Sequence, residues 1–260
     1  MRSRIQLLPY LLVIFFLYCS FNTRYAIETN VNSIVLDAGH GGKDPGTSGS
    51  VSKEKTIALA VVLELEKILK QYSPNIEVNL TRRNDTFVEL IERAAIANRK
   101  KTDLFISVHC NASPSKEISG SETYAVGLHK EDQNLDVIMN ENSSILLEEN
   151  YLEKYDGFDP KSEEGYIIFS LLQNAYLKQS LYLARKIEDY FQQKTGRKSR
   201  GVKQAGFLVL WKTTMPSVLV ETGYLSNKID EKFLNSVEGR QHIANSIYKA
   251  IREYRTDLKS

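Results

Sequence analysis

A chain of 260 residues is long enough to bury a sizeable core, as one domain of about 230 residues or two small ones. Its 42% hydrophobic and 25% charged residues are those of an ordinary globular protein and exclude disordered, collagen-like and coiled-coil chains. Three of the 34 basic residues (Arg2, Arg4 and Arg24) fall in a first stretch of 26 residues without acids. The remaining 31 face 32 acidic residues, which disfavours a nucleic-acid partner.

Residues 1–26 read as a signal peptide. Met1 to Arg4 is basic, and Ile5 to Tyr18 is apolar apart from Gln6 and Pro9. That stretch falls short of the ~20 residues that span a bilayer. The expectation is export to the periplasm or cell envelope, with no stable membrane span after cleavage. An uncleaved anchor is the competing reading. No small-x-small pair marks the cleavage site before Ile27, and the bulky Tyr18 argues against lipid on Cys19. After cleavage only Cys110 remains, so stability rests on the core or a metal and not on a disulfide.

Ser33 to Asp37 is a short apolar run stopped by Gly39, Gly41 and Gly42, a buried strand. Glu54 opens a helix with Ile57, Val61, Leu65 and Ile68 on one side. A strand over Ile76 to Thr81 and a helix through Val88, Ile91, Ala95 and Asn98 follow, with Asp85 and Thr86 as capping candidates. Leu104 to Cys110 is a third strand and Glu122 to Val126 a fourth. His129 to Gly165 is polar and acid-rich, with one helix expected over Leu135 to Tyr151. Beyond it the pattern predicts a helix through Leu177, Leu181, Ala184, Ile187 and Phe191. Strands at Phe207 to Leu210 and Ser217 to Glu221 follow, then a helix through Ile243, Ile247, Ile251 and Tyr254. The fold class is therefore α/β: residues 27–260 form one domain, a mainly parallel central sheet flanked by helices, with a mostly helical insertion at about 129–176.

Three ionisable residues follow apolar strands: His40, His109 and Glu221. Ligands of parallel sheets bind beyond the carboxyl ends of the strands, so the three converge if their strands are neighbours. Glu54, reached by the loop leaving the first strand, can join them. Two His and one Glu are a recognised catalytic zinc set, leaving Glu221 free as a base. Singly, each His is more simply a hydrogen-bonded structural residue. Spacing alone leaves the metal and structural readings level, although burying Glu221 without a partner is costly. Nucleotide loops fail outright. A phosphate loop needs glycine where Asp37 stands and Ser or Thr where Asp44 stands, and a dinucleotide fingerprint also fails at Asp44.

At these residues the chain resembles the zinc-dependent N-acetylmuramoyl-L-alanine amidases, bacterial cell-wall hydrolases that include the cell-division amidases. The matching pieces are IVLDAGHGGKDPG from Ile34, Glu54-Lys55, LTRRND from Leu80, ERAAIAN and DLFISVHCNAS between Glu92 and Ser113, GSETY from Gly120, and MPSVLVETGYLSN from Met215. The resemblance implies one zinc ion held by His40, Glu54 and His109, Glu221 as the catalytic acid/base, and peptidoglycan as substrate. Cys110 stands where a small residue is usual; as the strand neighbour of His109 it should face the opposite side of the sheet. Arg83 and Arg93 read as stem-peptide carboxylate binders or as structural ion pairs with Asp85 or Glu89, the latter preferred. Asn111 and Glu122 read equally as residues that orient the ligands or as makers of simple loop hydrogen bonds. His129 and His242 match no motif and are read as surface residues.

The insertion, 129–176, has no counterpart in the shortest family members. In some division amidases a helical segment here covers the zinc until an activator protein displaces it. Glu141, Glu148 and Glu149 are the carboxylates able to occupy the open position in this chain. A solvated helix shaping the substrate groove is the plainer reading. Rival functions are a wall-binding module with a degenerate site, which would have lost one of the four residues, and a zinc peptidase or amidase of the same fold acting on another substrate.

Overall fold

The computed structural model describes residues 31–127, 133–162, 165–166 and 175–258. The expected signal peptide and His129 lie outside them. Six strands form one sheet: β1 (Ser33–Ala38), β2 (Glu77–Leu80), β3 (Leu104–Asn111), β4 (Ser121–Val126), β5 (Ser199–Ala205) and β6 (Ser217–Tyr224). Their order is β2-β1-β3-β6-β4-β5, parallel throughout except where β4 meets β6. The strands β1, β3 and β6, whose ends carry the candidate residues, are consecutive neighbours.

Strand alternation sorts the side chains into two layers. Ile34, Leu36, Ile106, Val108, Cys110, Val218 and Val220 face one side, buried under α1 (Glu54–Tyr72), α5 (Leu177–Thr195) and α8 (Val237–Asp257). The apolar stripes expected for these helices supply the opposing surface: Ile57, Val61 and Leu65, then Ala184 and Ile187, then Ile243, Ile247 and Ile251. Cys110 lies in this layer, on the side away from His109 as alternation requires. Val35, Phe105, Leu219 and Tyr124 face the other side. They pack against α2 (Leu90–Arg99), α6 (Leu208–Trp211), and Ile138, Ile145 and Tyr155 of the insertion. The site lies on this second face.

Three expectations are corrected. Phe207 to Leu210 is not a strand: Leu208–Trp211 is a helical turn, and the strand lies at Ser199–Ala205, an edge strand that never needed an apolar run because it is only part-buried. The helix expected over Leu135 to Tyr151 divides into α3 (Gln133–Asn142), a 3₁₀ turn (Ser143–Leu147) and α4 (Tyr151–Lys154), with Asn150 in the left-handed region at φ 54° breaking the run. Asp85 and Thr86 do not cap α2; its first amides, Leu90 and Ile91, bond Glu148 Oε1 at 2.8 Å and the Tyr155 hydroxyl at 2.9 Å. Helix α7 (Lys228–Asn235) is capped by Asn227, whose side chain accepts from the Ile229 and Asp230 amides.

Candidate metal centre and acid-base residue

The chain leaves β1 through His40, Gly41 and Gly42, at φ 58°, 128° and 56°. Two glycines make this left-handed run accessible; His40 itself is the strained member. The turn folds the imidazole back over the end of β3. A Cβ on Gly39 would lie 2.4 Å from His109 ring atoms, so glycine there leaves the space the second imidazole fills. Asp44 accepts from or shares a proton with His40 Nδ1 at 2.8 Å, which turns Nε2 toward the centre.

Glu54 opens α1 fully buried. Its Oε2 accepts from the Thr47 amide at 2.8 Å and its Oε1 from the Cys110 amide at 2.9 Å, with His109 Nδ1 also 2.9 Å from Oε1. One donor atom each of His40, Glu54, His109 and Glu141 lie within 4.8 Å of one another. His40 Nε2 is 3.1 Å from both Glu54 Oε1 and Glu141 Oε2, and His109 Nδ1 is 2.8 Å from Glu141 Oε2. Yet among the described residues His40 Nε2 and Glu141 Oε2 are aligned for no hydrogen bond. Buried polar atoms that converge without pairing are what a cation requires, and two nitrogens with two carboxylate oxygens suit a divalent ion. These four residues can hold a metal.

The two carboxylates dominate the local field. Burial pulls both imidazoliums down, but Glu54 and Glu141 outweigh it: His40 rises well above its usual value, and His109 is pushed up to about 10. Burial drives the Glu54 and Glu141 carboxyls up and the imidazoles drive them down further, so both end below the carboxylate range.

Glu221 is different. In register it stands directly between His109 on β3 and Glu122 on β4, roughly 4.8 Å from each strand. It is fully buried, and neither carboxyl oxygen has a hydrogen-bond partner among the described residues. Burial, then the charges of Glu141, Glu54 and Glu122, push its carboxyl well above the usual range against the pull of His109. A carboxyl raised in this way is suited to taking and returning a proton.

A family model of N-acetylmuramoyl-L-alanine amidases matches residues 34–253, which include all four residues. The chain belongs to that family. The amidase AmiA of Escherichia coli K12 is 32% identical over 225 residues, covering 85% of this chain and 75% of AmiA. The endolysin of Bacillus phage SPP1 is 35% identical over 209 residues, 78% of this chain and 60% of the endolysin. Among solved structures, the catalytic domain of the amidase CwlV from Bacillus (Paenibacillus) polymyxa var. colistinus superposes with a TM-score of 0.64 at 33% identity. That match covers 87% of this chain and 99% of the CwlV domain. The amidase AmiC2 of Nostoc punctiforme gives 0.63 at 28% identity, over 85% and 96%.

In this amidase fold the other predicted residues take their places. Arg83 pairs with Glu66 and Arg93 with Asp37 at 2.8 Å, so both are structural ion pairs, with partners other than those expected. Asn111 donates to Glu122 Oε1 at 2.7 Å and makes no hydrogen bond to His40, Glu54 or His109 among the described residues. His242 is on the surface, its side chain 45% exposed. Of the insertion's acids, Glu141 enters the site, Glu148 caps α2, and Glu149 is exposed. Asp44 and Arg82 were missed by the sequence reading. Asp44 lay in view, four residues after His40; Arg82 gave no signal apart from its place in LTRRND.

Proposed function

We propose that this chain is an exported, zinc-dependent amidase. It hydrolyses the amide joining the lactyl carbonyl of N-acetylmuramic acid to L-alanine of the peptidoglycan stem peptide, in wall remodelling or daughter-cell separation. The observation that carries this reading is the convergence of His40 Nε2, His109 Nδ1 and Glu54 Oε1 beside Glu221, in a member of this family. Export follows from the basic stub and apolar stretch at the start of the sequence, and from a substrate that lies outside the cytoplasm.

His40, His109 and Glu54 would hold the ion, a ligand set that suits catalytic zinc. When bound, zinc supplies Lewis acidity, which makes water a proton donor near pH 7 and polarises a carbonyl. Asp44 keeps His40 in the tautomer that presents Nε2. Glu221 takes a proton from the attacking water and delivers it to the alanine nitrogen as the carbon–nitrogen bond breaks, leaving a lactyl carboxylate and a free amine.

With an ion held by His40, Glu54 and His109, Glu141 would take the place that water and substrate need. A catalytic zinc site keeps one position open, and four protein donors close it. The resting chain is therefore autoinhibited, and an activator protein that lifts the 129–176 segment is the implied partner. Ser144 Oγ to Asp44 at 2.8 Å, Asn142 to the Gly206 carbonyl at 2.9 Å and Glu148 to the Leu90 amide fasten this cover.

Product analysis tests the function. Purified sacculi treated with the chain, with its cover opened by substitution of Glu141, should release stem peptides bearing new N-terminal alanine. Chelator should stop the release and zinc restore it. No new alanine amino termini under any metal condition would overturn the reading.

A further inference from the structure

Arg82 is buried at 4% exposure and spends its donors on main-chain carbonyls. Nε bonds Ala38 at 2.9 Å, Nη1 bonds Asn84 at 3.1 Å, and Nη2 bonds both Gly39 at 2.7 Å and Lys55 at 2.8 Å. It forms no ion pair among the described residues. Burial, and the charge of Arg93 beside it, lower this guanidinium to about 10. The carboxylates of Asp37, Asp85 and Asp44 offset part of that, but none pairs with it directly, and every hydrogen bond of this buried cation goes to a main-chain carbonyl. Its two Nη2 contacts are telling: Gly39 precedes His40 and Lys55 follows Glu54. One nitrogen therefore joins the two chain segments that deliver two of the ligands. Between them runs a loop of thirteen residues, Gly41 to Lys53, containing four glycines.

Arg93 completes the brace from the other side. Nη1 bonds Ala38 at 2.7 Å and the Asp37 carboxylate at 2.8 Å, and Nη2 bonds the carbonyl of His40 itself at 2.8 Å. Three successive carbonyls, Ala38, Gly39 and His40, are thus turned toward two guanidiniums, which fixes the left-handed turn at His40.

We propose that Arg82 is a positioning residue of the metal centre: its guanidinium is the crossbar that sets the separation of His40 from Glu54, with Arg93 holding the His40 end. The inference rests on the reading that His40 and Glu54 bind a metal. A planar fork can meet Gly39 and Lys55 together from one nitrogen while holding Ala38 with another; an ammonium in its place has neither the fork geometry nor the reach. Loss of the crossbar leaves the sheet intact and lets the two ligands drift.

The test measures Zn²⁺ affinity by chelator competition for the wild-type chain, R82K, R82M, H40A and R83M, alongside amide hydrogen exchange of the metal-free proteins. R82K is included because it keeps the buried charge if R82M does not fold. R82K and R82M should bind Zn²⁺ at least tenfold more weakly than wild type. Their exchange should quicken at Gly41 and Glu54, whose amides bond Asp44 and Thr47, while the β3 and β6 amides stay protected. R83M, altered at the neighbouring exposed arginine, should match wild type. Wild-type affinity in folded R82K, with affinity lost in H40A, overturns the proposal and spares the metal reading. A wild-type chain that binds no Zn²⁺, or an H40A chain that binds as wild type does, overturns the metal reading and the proposal with it.

Discussion

Glu141 and His109 meet at 2.8 Å, although one belongs to the insertion and the other to the central strand of the sheet. The contact sits at the atom that also faces Glu54, so the insertion reaches the centre of the candidate metal site and not merely its rim. Replacing Glu141 by alanine should raise digestion of sacculi by the isolated chain about tenfold or more, read as dye release. Ile138, Ile145 and Tyr155 still anchor the segment apolarly, so adding S144A, which removes the bond to Asp44, should raise it further. A folded double variant no more active than wild type would leave the cover without an inhibitory role.

Glu221→Gln should separate catalysis from structure. Zinc content should stay at one per chain, while turnover falls by roughly 10²–10⁴, the usual share of a general acid/base. The same change exchanges one buried polar group without a hydrogen-bond partner among the described residues for another of the same shape, so the urea midpoint should stay within about 1 kcal/mol of wild type. Near-normal turnover in E221Q would take Glu221 out of the reaction.

Asp37 supplies the pH dependence of folding. Burial pushes its carboxyl up, but Arg93 and the hydroxyls of Ser107 and Thr81 hold it below 3.8. A carboxylate depressed in the folded state contributes stability above its unfolded value, lost as the pH falls through the folded one. Asp37→Asn leaves the buried Arg93 guanidinium without its counter-ion, at a cost of about 3–5 kcal/mol. The gap between wild type and D37N, from urea midpoints, should be widest at pH 6–7 and narrow below about pH 4. A gap independent of pH would show that the ion pair is not its source.

Gly39 tests how tightly the two imidazoles are nested. An alanine methyl would lie 2.4 Å from His109 ring atoms, too close for the ring to stay. G39A should lose most of its zinc, as measured by metal analysis after gel filtration, with destabilisation of ~1–3 kcal/mol from overpacking. Full zinc occupancy in G39A would mean that the ring has room to move.

The sequence carried the framework of the site because strand ends announce themselves. An apolar run followed by one polar residue, as at His109 or Glu221, fixes both the strand and the side chain exposed at its end. That β1, β3 and β6 are neighbours, with His109 opposite Glu221, is a matter of sheet order, which no local pattern encodes. Ser199–Ala205 escaped notice because an edge strand needs no apolar alternation, whereas Phe207 to Leu210 imitated a strand while serving as a helical plug on the second layer. Glu148 shows the same limit: the cap of α2 comes from 58 residues downstream, so no inspection of Asp85 or Thr86 could find it. Glu141 was visible only as one of three acids on an uncertain helix. Choosing among them required the three-dimensional path of the insertion.

The order of the sheet has a final implication. Its outer strands are poor templates for another chain: β2 is four residues long, and β5 carries Arg200, Gly201 and Lys203. Short or cationic borders discourage backbone pairing. A macromolecule that recognises this domain therefore finds little free backbone to pair with along either rim and has to read side chains.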